Sequence, residues 1–223
     1  MPQEKIVLCF CKYPDPGIVK LRLASSVGKE LAAIIYKALL EHTVQTVCSG
    51  NHGCAMYCYP DSKHIFFRYC NGKYHIPLYE QEGCGLGSRM FNAISTHLSS
   101  FRHVVLVGSD CPELSSAYID MAFRLLETGN DIVLGPARDG GYILIGAKKI
   151  CRSVFDKVSW GTDQVLQQTQ EKIQDLHWKS VCTPHLRDVD TFSDYRHFLK
   201  QKQYMDVFSL STNSSRLPKT NGK

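Results

Sequence analysis

The chain has 223 residues, 43% of them hydrophobic, enough for one well-buried α/β domain and too few for two independent ones. Its 26 basic and 21 acidic residues leave a formal charge of +5. With no long Lys/Arg run and no RNA-binding aromatic signature, that balance argues against nucleic acid and for small anionic partners. Met1 to Ile6 lacks the basic and apolar regions of an export signal, and no apolar stretch reaches membrane-spanning length, so a soluble cytoplasmic protein without a membrane partner is expected.

In chain order, Lys5 to Cys11 reads as the first strand, followed by a loop carrying Pro14, Pro16 and Gly17. Ala32, Ile35, Leu39, Thr43 and Val47 then recur at helical spacing and mark one face of a helix. Cys54 to Tyr59 is the second strand. A short helix is expected from Asp61, containing Ile65 and Phe66, and His75 to Tyr79 is the third strand. Leu86 to Leu98 is helical, with Met90, Ala93, Ile94 and Leu98 as its apolar face. Strand Val104 to Val107, helix Ala117 to Leu126, and strands Ile132 to Leu134 and Tyr142 to Ile145 follow, with Gly129-Asn130 stopping the helix. Beyond Cys151 the pattern loosens into a helix over 163–176, a strand near Val181 and a last helix from Ser193 to about Gln201. The alternation predicts a doubly wound α/β architecture in a single domain over 1–208. The Ser/Thr/Asn-rich stretch 209–223 is too polar to offset its ordering entropy and is expected to be a disordered tail.

Ten cysteines in a chain of this size, with no close Cys/His set, read as buried thiols rather than a disulfide framework or a zinc site. Cys84 and Cys111 are set apart because they fall in loops of chemical interest, where a thiol could be accessible and reactive.

Five loops should open on one edge of the sheet. In the most informative, an apolar strand runs into Gly108-Ser109-Asp110-Cys111-Pro112, placing a carboxylate where open α/β sheets bind ligands. The first loop offers Gly17, where backbone can approach a ligand, with Lys20 and Arg22 as charge for phosphate, although no P-loop spacing is present. Gly83, Gly85 and Gly87 precede Arg89 near a helix start, a glycine-lined approach to a nucleotide or an ordinary turn. Asp139 sits in Pro136-Ala137-Arg138-Asp139-Gly140-Gly141, and Asp188-Val189-Asp190 puts two carboxylates on one face of an extended segment. Magnesium takes one or two carboxylates plus substrate phosphates, so Asp110 with Asp188 or Asp190 suits it. The plainer alternatives are that Asp110 and Asp190 cap the helices that follow them.

The ordered set Pro14-Asp15-Pro16-Gly17-Ile18-Val19-Lys20-Leu21-Arg22-Leu23, Gly87-Ser88-Arg89-Met90, Gly108-Ser109-Asp110-Cys111-Pro112, Gly135-Pro136-Ala137-Arg138-Asp139-Gly140-Gly141-Tyr142, Trp160-Gly161-Thr162 and Asp188-Val189-Asp190-Thr191 resembles the DUF2064 family of glycosyltransferase-like proteins. That family is similar to the nucleotide-diphospho-sugar transferase (GT-A) superfamily. The resemblance implies a three-layer α/β/α Rossmann-like GT-A fold with a mixed, mostly parallel sheet. It makes Asp110 the metal-binding acid and Lys20 with Arg22 the phosphate-facing basic loop. The sequence departs from the family pattern at Leu21, Gly85 and Ser88, where Thr, an acid and often Glu stand.

These readings combine into a Mg²⁺- or Mn²⁺-dependent transferase that moves a sugar from a nucleotide-diphospho-sugar to a small acceptor. Asp110, Asp188 and Asp190 are the expected metal ligands, Asp139 and Asp190 the expected catalytic acids, and Gly17, Lys20, Arg22 and Arg89 the nucleotide and phosphate contacts. Joining a nucleoside triphosphate to a phosphorylated small molecule, and nucleotide binding without turnover, are the alternatives.

Overall fold

The computed structural model describes residues 4–213, with side chains through 208. Its first strand, β1 (Lys5–Lys12), has six consecutive buried residues, the signature of a strand covered on both faces. Two helices follow. α1 (Leu21–Val27) and α2 (Lys29–Cys48) meet at Gly28, which ends one and begins the next at φ 87°, a conformation that favours glycine. α2 buries all five expected positions. α1 was not legible as a helix: seven residues give too little periodicity, and the Lys20/Arg22 chemistry reads as loop.

β2 (Gly53–Tyr59) matches its expected strand. α3 (Ile65–Tyr74) begins later than the expected start at Asp61, because the His64 side chain provides its cap by accepting from the Phe66 N–H. β3 (Leu78–Glu80) is shorter and later than the expected strand from His75; His75 instead terminates α3 in the left-handed region at φ 53°. α4 (Leu86–Leu98), β4 (His103–Val107), α5 (Ser116–Glu127), β5 (Ile132–Pro136) and β6 (Tyr142–Ala147) agree with expectation to within a residue or two at each end. After a 3-10 turn at Arg152–Val154 come α6 (Val165–Asp175), β7 (Ser180–Cys182), α7 (Phe192–Leu199) and α8 (Lys202–Asn213). α8 carries the backbone past the expected domain end at residue 208. The rest of the expected tail, 214–223, lies outside the described residues.

The strands form one sheet in the order β3-β2-β1-β4-β6-β5-β7, in which β6 alone runs antiparallel to its neighbours. The mixed, mostly parallel three-layer architecture is therefore as expected. One face packs on α2, α3 and α5 through residues such as Val7, Cys9, Val105 and Val107, and the other on α4 and α6 through Ile6, Leu8, Val104 and Leu106. This alternation along each strand puts successive side chains into opposite layers. A third cluster joins α1, α2, α7 and α8 around Leu23, Ile35, Leu39, Phe198 and Val207, and it takes in Val189. The C-terminal helices thereby clamp the segment bearing Asp188 and Asp190 against the body of the domain.

Candidate active site

Chain order reverses between β1 and β4, which lie side by side and parallel, so a cleft opens beyond their carboxyl ends. The chain leaving β4 is fixed on all sides. The Gly108 N–H donates to the Ile143 carbonyl at 2.8 Å, and the buried Ser109 hydroxyl shares a 2.8 Å bond with the Tyr36 hydroxyl, which accepts from the Lys12 N–H at 3.0 Å. Ser115 caps α5, so Asp110 is not spent on that helix.

The segment bearing the other acids is drawn to the same place by backbone bonds. The Leu186 N–H donates to the Pro136 carbonyl at 3.0 Å and the Val189 N–H to the Asp110 carbonyl at 3.0 Å. The Glu113 carboxylate takes the Arg187 N–H at 2.6 Å. With Val189 wholly buried, Asp188 and Asp190 turn to the opposite side. Capping of α7 is done by Thr191 in a reciprocal box with Asp194, which leaves Asp190 free for the cleft.

Lys20 binds the two acidic segments together. Its ammonium lies 2.7 Å from Asp110 Oδ2 and 3.9 Å from Asp190 Oδ1, with 6% of the side chain exposed. Burial alone would lower the Lys20 pKa, but Asp110, Asp188 and Asp190 outweigh it and hold the ammonium above the ordinary lysine range. Arg22, on the first turn of α1, donates to Asp190 Oδ2 at 2.9 Å and is mostly exposed. Asp188 shows the surplus of negative charge: burial and the neighbouring Asp110 push its carboxyl up to about 7 against the pull of Lys20, and Asp139 adds to the push. Asp139 also acts on Arg22. Four acids thus share one cleft with two cations.

Asp139 is placed by a turn. Its Oδ1 accepts the Gly141 N–H at 3.0 Å, and Gly140 holds φ 88° with Asp163 O only 2.1 Å from where a Cβ would stand. Glycine is obligatory there for packing, and Asp139 lies near enough to act on Asp188 and Arg22.

The remaining expected contacts are elsewhere. Gly17 forms a turn at φ 80°, with Ile18 N–H donating to the Asp15 carbonyl; Asp15 accepts from His64 Nε2 at 3.0 Å. Arg89 has partners outside the acid cluster: its guanidinium carbon lies 4.2 Å from the Tyr59 ring centroid, and Nη1 is 3.4 Å from Gln81 Oε1. Gln81 is oriented by donating to the Cys11 and Tyr57 carbonyls, both at 2.9 Å. Gly87 is close-packed, since a Cβ there would meet Phe155 and Trp160 at 3.0 Å. Ser88 bonds the backbone of Gly85 at the start of α4. Cys111 is a correction: it is buried, donates to the Arg187 carbonyl at 3.3 Å, and burial pushes its thiol up, so it is not accessible, whereas Cys84 is exposed. Tyr36, Ser109, Tyr59 and Gln81 were missed. Each reads as an ordinary core or loop residue, and only tertiary contact gives it a role at the cleft.

Among the described residues no three His, Cys, Asp or Glu side chains are arranged to hold a metal ion. A hard divalent cation nevertheless suits the donor set, because Asp110 and Asp190 offer carboxylate oxygens to one shared cation, and magnesium needs only one or two such ligands beside substrate phosphates.

The sheet order and the acid-bearing loops define a nucleotide-sugar-transferase-like, Rossmann-like GT-A fold. The chain belongs to the family described as uncharacterized protein conserved in bacteria (DUF2064), whose model matches residues 41–162, more than half of its length. The crystal structure of a candidate nucleotide-diphospho-sugar transferase from Desulfovibrio desulfuricans G20 is 30% identical, with 96% of each chain covered and a TM-score of 0.83. More distant structures share the fold alone. 4-Diphosphocytidyl-2C-methyl-D-erythritol synthase from Anaerococcus prevotii is 12% identical, covering 96% of this chain and 97% of that one, with a TM-score of 0.56. Glucosyl-3-phosphoglycerate synthase from Mycobacterium tuberculosis, solved with Mn²⁺ and UDP, is 9% identical, covering 98% and 82%, with a TM-score of 0.54. Among curated proteins none matches the sequence. No helix among the described residues is long and apolar enough to cross a membrane.

Proposed function

We propose that this protein is a metal-dependent transferase that moves a sugar from a nucleotide-diphospho-sugar to a small acceptor. The observation that carries the reading is the meeting of Lys20 and Arg22 with Asp110, Asp188 and Asp190 at the switch point between β1 and β4. The 30%-identical Desulfovibrio structure and the family's GT-A fold support it.

Asp110 and Asp190 would hold Mg²⁺ or Mn²⁺, which when bound supplies positive charge to the diphosphate oxygens. Lys20 and Arg22 bind that diphosphate and stabilise the charge that develops on it as leaving group. Arg22 suits this task because its fork is exposed and already oriented by Asp190. Asp139 orients the acceptor hydroxyl and receives its proton, since its loop opens toward the cluster while its backbone bond fixes the carboxylate. Arg89 and Tyr59 form a flat cationic and aromatic surface on the β2/β3 side, suited to the planar nucleoside end.

Release of a nucleoside diphosphate from nucleotide sugars, screened with Mn²⁺ and a panel of small hydroxyl acceptors, tests the reading. Release of pyrophosphate from a nucleoside triphosphate with a phosphorylated acceptor would replace it by nucleotidyl transfer.

A further inference from the structure

We infer that Lys20 is an exchangeable counter-ion: its ammonium occupies the cation position between Asp110 and Asp190 in the ligand-free protein, and leaves it for the diphosphate when a divalent cation arrives. This rests on the transferase reading above and deepens it.

Three observations carry the inference. The ammonium bridges two carboxylates from separate segments, at 2.7 Å and 3.9 Å, as a small cation would. Lys20 donates to Asp110 Oδ2, so a divalent cation taking that oxygen competes with the ammonium for it. Two cations on one oxygen repel, so a divalent cation bound there expels the ammonium. Finally, the cleft carries more acids than cations, which leaves room for a second positive charge once Lys20 has turned away.

The chain permits that turn. Lys20 stands at φ 50°, at the N-terminus of α1, with no side-chain capping bond to lose, and its four-carbon stem can re-aim the ammonium without moving the backbone. Arg22 keeps Asp190 in place during the exchange. The device makes metal and diphosphate binding mutually supportive. The expelled ammonium is a phosphate ligand that was unavailable before, so each ligand raises the affinity for the other.

Mn²⁺ titration followed by electron paramagnetic resonance, without nucleotide, compares wild type with Lys20→Met. The variant should bind Mn²⁺ at least about tenfold more tightly, because a competing positive charge is gone. It should bind Mn²⁺ with a nucleoside diphosphate more weakly. Equal or weaker Mn²⁺ affinity in the variant, or no Mn²⁺ binding by either protein, overturns the exchange. Should Lys20→Met fail to fold, wild type bearing ¹³C-methylated lysines serves instead, the Lys20 signal being the one missing from Lys20→Arg. Saturating Mg²⁺ should shift that signal, and an unmoved signal contradicts the inference. Absence of any nucleotide binding to wild type would refute the transferase reading while the Mn²⁺ comparison still decides the exchange.

Discussion

Both edges of the sheet carry acids held by cations, and they differ in how the charges balance. At the edge where β5 begins, Asp131 accepts from the Lys179 N–H at 2.9 Å and lies 3.2 Å from both Lys148 and Lys149. Burial would raise its carboxyl, yet these donors together hold it below the usual carboxylate range. At the opposite edge Asp110, Asp139, Asp188 and Asp190 share Lys20 and Arg22, and burial, with the neighbouring Asp110 adding to it, pushes Asp188 up to about 7. An acid with more donors than it needs is a staple. Acids with too few partners single out a candidate functional site.

The largest effect should come from Asp110→Asn, which removes the carboxylate charge from the proposed cation position. Transfer should fall by roughly 10²–10³-fold, the scale of losing a principal electrostatic contact. The fold should survive, because the Asp110 side chain is one-third exposed and Lys20 keeps Asp190 as an acidic neighbour; circular dichroism with a turnover assay separates the two effects. Unchanged turnover would move the active site elsewhere.

At the other edge Asp131→Ala should reverse the pattern. Removing one partner of a largely buried ion pair costs a few kcal/mol, about 2 here since both lysines reach solvent. The melting temperature should drop by several degrees with nucleotide affinity unchanged. A change in affinity would deny that this edge is purely structural.

Asp188 sharpens the contrast through pH. Its folded pKa of about 7 lies above the ordinary value near 4, so the folded state holds a proton that the unfolded chain has released between those limits. Stability carried by this group is therefore present at about pH 4 and declines as pH rises toward 7. Asp131, held low, works in the opposite direction: its stabilisation is full above the ordinary carboxylate pKa and fades as pH falls below it. Asp188→Asn should melt higher than wild type at about pH 8 and nearly equally at about pH 4. Parallel melting curves across that range would show that Asp188 is not held protonated.

The smallest effect should be Arg22→Ala on stability. Its guanidinium side chain is 72% exposed, and water screens such a pair so that it contributes little to stability. Nucleoside diphosphate affinity should fall well beyond that, while an unphosphorylated nucleoside is unaffected. Equal loss for both ligands would indicate distortion of the cleft.

Much of this arrangement was legible in the sequence. β1, α4, β4 and the α2 face were readable because their apolar positions follow strand or helix period over enough residues to be distinctive. Lys20, Arg22, Asp110, Asp188 and Asp190 stand out as charge at the ends of apolar runs, and the structure brings those five together. What was hidden depends on partners distant in sequence. Ser115 and Thr191 cap the helices, which frees Asp110 and Asp190 from the duller role each could have had. The bond from Val189 to Asp110 spans two segments with no shared pattern. The burial of Cys111 comes from the core cluster it joins and from its bond to the Arg187 carbonyl, and Gly87 is packed against Phe155 and Trp160. α1 escaped notice because its buried anchor, Leu23, has too short a helix around it to form a stripe.

The central claim is that the acid-rich edge binds a nucleoside diphosphate together with a divalent cation. Calorimetric titration of nucleoside diphosphates into wild type and Asp110→Asn, each with and without Mn²⁺, tests it most directly. Wild-type binding should strengthen with Mn²⁺ and that dependence should vanish in Asp110→Asn; identical metal-dependent affinity in the two proteins would rule the site out.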